Sequence, residues 1–173
     1  EDKKDYLFQL SFSQLRTGQI KEAQKGFEEL LKIKENKYIL PATYYSGYIA
    51  YLNGDFNKAL SFFEKNVSDD FYGPLSQLYM LESHLMLKNY DYVIQNGETV
   101  SNVVHPDMKS KVARMVSEAY FAMDKPQQAK EWFEQYSSSG RELSRKDNYY
   151  FGIISYSLDS YYAAIGAFDK VIA

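Results

Sequence analysis

Few residues of this chain could do covalent or metal chemistry, and their spacing does not favour it. Two histidines and no cysteine stand in 173 residues. His84 and His105 lie far apart, without a His-x-x-x-His pattern or carboxylates at ligand spacing, so local sequence assembles neither a metal centre nor a thiolate nucleophile. Glu28-Glu29 and Asp69-Asp70 are adjacent carboxylates. Neighbours on a helix point apart, so these read as solvated faces rather than acid–base pairs. The 9 glycines are scattered through turns and helix contacts rather than gathered in a phosphate loop. Ser137-Ser138-Ser139-Gly140 supplies hydroxyls and a turn, and is read as a connector. Asn66-Val67-Ser68 is a formal glycosylation sequon at an expected helix end. The expectation is a protein that is not an enzyme, with no catalytic, cofactor-binding or metal-binding residues and no cofactor.

The chemistry the sequence does offer is aromatic. There are 17 Tyr and 11 Phe but a single Trp. Tyrosine packs with its ring while keeping a hydroxyl available, which suits it to surfaces as well as to helix contacts. A net charge of −3 argues against nucleic acid as a partner, because phosphate recognition needs clustered positive charge. No apolar run approaches the roughly 18–20 residues of a spanning helix, so no direct membrane insertion is expected. The chain begins at Glu1 with no signal peptide, and is read as a processed or excised piece of a longer chain.

The elements that must position these rings are helices in pairs. Apolar residues recur at helical spacing over Tyr6 to Leu15 and Ile20 to about Ile33, broken at Thr17-Gly18-Gln19. Pro41 falls in the first turn of the next helix, and Asn53-Gly54-Asp55 separates it from a partner that carries Ala59 and Phe63. Further pairs are expected at about Leu75–Leu87 with Tyr90–Val100, Met108–Met123 with Gln127–Tyr136, and Arg145–Leu158 with Tyr161–Ile172. Asp124 is the expected N-cap of the helix that Pro126 opens. No segment sustains strand alternation.

The second helices repeat. Ala23, Ala59, Val93, Ala129 and Ala164 are spaced by 36, 34, 36 and 35 residues, and four residues after each come Phe27, Phe63, Gly97, Phe133 and Phe168. Twelve residues before each lie Ser11, Gly47, Leu81, Ser117 and Gly152, mostly small groups expected to let the two helices of a pair approach closely. These Ala/Phe pairs, with Ser46-Gly47, Gly54 and Val116-Ser117-x-x-Tyr120, resemble the tetratricopeptide repeat (TPR) family. The resemblance covers the whole chain. It departs most in the third unit, where Val93, Gly97 and His84 replace the usual residues. It implies an all-α fold, a right-handed α-α superhelix of about five antiparallel helix pairs. Repeats are expected at about 4–39, 40–73, 74–109, 110–144 and 145–173, in a single array.

In this family the first helices line a concave groove for an extended peptide or a partner helix. Carried over, that face falls on Phe8, Phe12, Leu15 and Arg16, then Tyr44, Tyr48, Tyr51 and Leu52. Leu78, Glu82, Leu85 and Met86 continue it, followed by Arg114, Glu118 and Phe121, and finally Tyr149, Ile153 and Tyr156. The spacing of Tyr44, Tyr48 and Tyr51 independently puts three rings on one helix face. Left half exposed, they would present on the order of 200–400 Å², the size at which an apolar patch marks a partner site. The partner-binding residues expected are therefore Phe8, Phe12, Tyr44, Tyr48, Tyr51, Leu78, Glu82, Arg114, Tyr149 and Tyr156. Phe8, Phe12, Tyr45, Leu75 and Tyr79 offer few donors for a terminal carboxylate, which argues against a chaperone-tail clamp.

The resulting expectation is a non-catalytic scaffold that binds a protein or peptide partner. The alternative is a structural or assembly spacer in a larger bacterial envelope or multi-domain protein, self-associating through its repeat ends. Glu1–Asp5 would cap only weakly, and Val171-Ile172-Ala173 ends within an apolar helix. More repeats or another domain, or a homodimer through an uncapped C-terminal repeat, are therefore expected. The Tyr-rich style resembles long bacterial repeat proteins, which favours the cell envelope or periplasm over the cytoplasm.

Overall fold

A computed structural model describes residues 3–138, 140 and 142–172. Glu1-Asp2 of the expected weak N-terminal cap, Ala173 of the apolar C-terminal stretch, and Ser139 of the serine-rich connector lie outside the described residues. Among those described there are ten α-helices, one 3₁₀ turn at Glu64–Asn66 and no strand. The helices fall into two compact units, Glu1–Leu87 and Lys88–Ala173. The first holds α1 (Lys3–Arg16), α2 (Ile20–Lys32), α3 (Ile39–Leu52), α4 (Phe56–Phe63) and α5 (Gly73–Met86). The second holds α6 (Tyr90–Val103), α7 (Pro106–Ala122), α8 (Pro126–Ser137), α9 (Arg145–Ser157) and α10 (Tyr161–Ile172). The boundary between the units falls inside the expected third repeat.

One backbone device recurs at short turns along the chain. Gly18, Gly54, Lys88, Asp124 and Asp159 all take positive φ, between 55° and 79°. Their spacing matches that of the small residues of the second helices. A left-handed residue just past a helix end reverses the chain and lets the next amide reach back to an orphan carbonyl. Gln19 N–H donates to the Gln14 carbonyl at 2.8 Å, Asp55 to Ala50 at 2.9 Å, Lys125 to Tyr120 at 3.0 Å and Ser160 to Ser155 at 2.9 Å. Asp124 is thereby corrected as an N-cap. It is the left-handed residue of its turn, and Lys125 occupies the cap position without a side-chain bond. Asp55 does cap α4, its carboxylate accepting from Lys58 N–H at 3.2 Å.

Each unit is held by the repeated pair. Ala23, Ala59, Val93 and Ala129 are fully buried, as are Phe27 and Phe63, and Phe133 nearly so. The phenylalanines reach into the next helix pair as their spacing implies. Phe27 stacks on Tyr45 at 5.4 Å, Phe63 on Tyr79 at 5.6 Å and Phe133 on Phe151 at 5.2 Å. The small residues of the first helices accept the turn that follows the alanine. A β-carbon on Gly47 would lie 2.9 Å from the Phe63 ring, and one on Gly152 would lie 2.4 Å from Phe168. Asn66 of the sequon is buried and donates its side-chain amide to the Leu40 carbonyl at 3.1 Å. It ties the end of one pair to its own beginning, and a buried, bonded amide is not presented to a glycosylating enzyme.

Candidate functional site

The first unit carries an open aromatic cleft of about 360 Å³. Phe12, Leu15 and Arg16 of α1 form one wall, Tyr44, Tyr45, Tyr48 and Leu52 of α3 the floor, and Tyr79 of α5 the other wall. The rings hold one another by tilted and edge contacts. Phe12 lies 5.2 Å from Tyr45, Tyr44 lies 5.2 Å from Tyr45, and Tyr48 lies 5.4 Å from Tyr79. Tyr51 packs 5.0 Å from Tyr79 and edge-on to Phe56 at 5.8 Å, which fixes it beside the cleft rather than in its lining. Such offset and T-shaped pairs stiffen a surface beyond what burial alone supplies.

The phenols of Tyr44, Tyr45, Tyr51 and Tyr79 are neutral over the physiological range. Burial, followed by neighbouring Tyr48 and Glu82, pushes Tyr79 up to about 12. Burial likewise raises Tyr44, and raises Tyr51 together with the Glu82 carboxylate that is hydrogen-bonded to it. Burial also raises Tyr45, with the Arg16 charge pulling the other way. A buried phenol resists ionisation because the phenolate would lose its hydration. The cleft therefore offers ring faces, hydroxyl dipoles and one guanidinium.

The structure divides the predicted residues. Phe12, Tyr44 and Tyr48 meet in the cleft, with Leu15, Arg16 and Leu52 of the carried-over face. Leu78 is only 2% exposed and is corrected from partner contact to core, while Tyr44, 7% exposed, lies at the bottom of the cleft. Phe8 stacks on Tyr38 at 4.5 Å and packs against the α1–α3 core. Tyr45 and Tyr79, which line the cleft, stand outside the predicted set. The face that opens on α3 runs through Tyr45, Tyr48 and Leu52, an i, i+3, i+7 series displaced by about one residue from Tyr44–Tyr48–Tyr51. The polar rim residue Arg16 beside Leu52 is the sequence signal for it.

In the second unit Arg114 serves a different purpose. Its Nε donates to Asp147 Oδ1 at 3.2 Å, a terminal nitrogen pairs with Glu118, and the guanidinium lies 4.4 Å from the Tyr150 ring centre. Asp147 Oδ2 also accepts from the Ser144 hydroxyl at 2.6 Å and the Tyr136 hydroxyl at 3.1 Å. Ser144 and Asp147 form the capping box of α9. Burial is the largest influence on this carboxyl and pushes it up, but the bonds from Ser144, Arg114 and Tyr136 together hold it below its ordinary value. Arg114 is corrected from partner contact to internal clasp, its side chain 13% exposed. Tyr149 and Tyr156 of α9 are 53% and 63% exposed, each against one aromatic neighbour, Phe168 and Tyr161.

Among the described residues no group of three or more His, Cys, Asp or Glu could hold a metal ion, and no helix is long and apolar enough to cross a membrane. Paired helices at a recurring interval of about 35 residues, closed by small–aromatic contacts, give the chain a TPR-like helical-repeat fold. Solved structures of MamA share it. MamA 41-end from Desulfovibrio magneticus RS-1 matches with a TM-score of 0.83 at 19% identity, over 99% of this chain and 94% of that one. An RS-1 double mutant of MamA gives 0.85 at 18% identity over the same shares. A further MamA crystal structure gives 0.77 at 15%, covering 99% and 94%. No protein-family model and no curated protein sequence matches the chain.

Proposed function

We propose that this protein is a non-catalytic interaction scaffold that seats a peptide or protein partner in the aromatic cleft of its first unit. The observation that carries this reading is the cleft itself. Five aromatic rings are held in mutual contact, yet about 360 Å³ is left open between them, with Leu52 at its edge 48% exposed. A repeat whose rings served packing alone would close over them. Rigid aromatic anchors with neutral hydroxyls are the residue type that supplies most binding energy at protein interfaces. The test is to select random-sequence peptides by display on the whole chain and measure their affinity for Tyr48→Ala and Leu52→Ala. An affinity loss of about tenfold or more, with the circular dichroism melt retained, is expected. Unchanged affinity in both variants counts against the cleft.

A second reading, self-association, is favoured by one face of α10. Tyr161, Ile165 and Ile172 share a helix side and are each more than half exposed. If that face pairs with another copy, Ile165→Lys dissociates the assembly in light scattering. A strictly monomeric parent chain sets this reading aside.

A further inference from the structure

The cleft of the first unit is apolar on its floor and charged at one lip. Among its lining residues only Arg16 carries a full charge. Its guanidinium is exposed and makes no ion pair among the described residues, and its field reaches the Tyr45 hydroxyl. The nearby carboxylate, Glu82, accepts from Tyr51 and lies outside the lining. Tyr45 and Tyr79 stay protonated, so they add no negative charge. The cavity holds one or two large side chains and leaves a partner's backbone across the mouth.

We propose that the cleft selects a polypeptide segment with an apolar side chain beside a carboxylate. The apolar group sits among Tyr45, Tyr48 and Tyr79, and the carboxylate pairs with Arg16. This deepens the cleft reading above and rests on it. The division of labour follows from magnitudes. Apolar burial supplies most of the affinity. An exposed ion pair adds only about two- to fivefold, too little to hold a partner but enough to choose between an acidic and a basic one. The net charge of −3 does not attract acidic segments, so the preference must come from this local cation.

The test uses the displayed peptides on the whole chain, on Arg16→Glu and on Tyr48→Ala. Peptides selected on the parent chain are expected to carry Asp or Glu within a helical turn of an aromatic or aliphatic anchor. Replacing that acid by its amide weakens binding about two- to fivefold at low salt and less at high salt, and substituting Arg16→Glu weakens it at least as much. Arg16→Glu in turn gains for the Lys-bearing version. Binding that needs Tyr48 but shows no acidic preference, or a preference that survives Arg16→Glu, overturns this inference and leaves the cleft reading intact. Peptides indifferent to both variants, or no peptide selected at all, overturn both.

Discussion

Gly97 of α6 and Val116 of α7 approach so closely that a β-carbon on the glycine would fall 2.2 Å from the valine Cγ2. Gly97 stands where other repeats place Phe, and here the next helix fills the space. Val116 is fully buried and β-branched, so it cannot swing aside. Gly97→Ala should lower stability by about 1–3 kcal/mol, and adding Val116→Ala should recover part of the loss in a denaturant double-mutant cycle. Gly166 of α10 has nothing within 4 Å of its would-be β-carbon. Gly166→Ala should therefore stabilise, by about 0.5–1 kcal/mol, through helix propensity.

The left-handed turn residues allow a paired test. Asp124, at φ 56°, carries the strain of a side chain that Gly54, at φ 74°, avoids. Asp124→Gly should raise the melting temperature and Gly54→Ala lower it, each by an effect of about 1 kcal/mol. Equal shifts of one sign would contradict the assigned turn geometry.

The Asp147 clasp has a definite pH signature. Its folded pKa is depressed below the ordinary 3.8, so the stability it contributes is present above that value and is lost as pH falls through the folded pKa. Asp147→Asn should destabilise by about 1.5–3 kcal/mol at neutral pH. The gap between variant and parent should narrow below about pH 4 in urea titrations. A gap independent of pH would mean the carboxylate's charge is not what Arg114 and Ser144 hold.

The aromatic cluster predicts the opposite limb. Tyr79 is raised from 10.0 to about 12, so its contribution is intact below pH 10 and is lost as pH rises toward its folded pKa. Phenolate absorbance should show Tyr44, Tyr51 and Tyr79 ionising only as the first unit opens. One smooth transition for all 17 Tyr near pH 10 would contradict the burial described.

Much of this architecture was legible because a helix pair writes its own period. Ala59 and Phe63 give the packing contact, and Asn53-Gly54-Asp55 gives the turn. Asp124 was misread because Asp suits both an N-cap and a left-handed turn, and only the alignment with Gly54 separates the two. Tyr45 stands outside the predicted set because a helix face is about two residues wide, and a rotation of one residue brings it into the cleft beside the more deeply buried Tyr44. The Arg114–Asp147 clasp was missed because its partners sit 33 residues apart. Yet Ser117 with Tyr150, and Tyr38 with Asp5, bond at the same separation of 33. That offset joins equivalent levels of successive pairs, and was available once the period was known.

The central claim is that the cleft beside Tyr48 holds a partner. Its most direct measurement is photo-crosslinking in the organism that makes the chain, with a benzophenone amino acid replacing Leu52 at the cleft edge or exposed Ser61 of α4. A discrete crosslinked species is expected at position 52, lost on Tyr48→Ala and missing at position 61. No adduct at 52, or the same adducts at both positions, would contradict it.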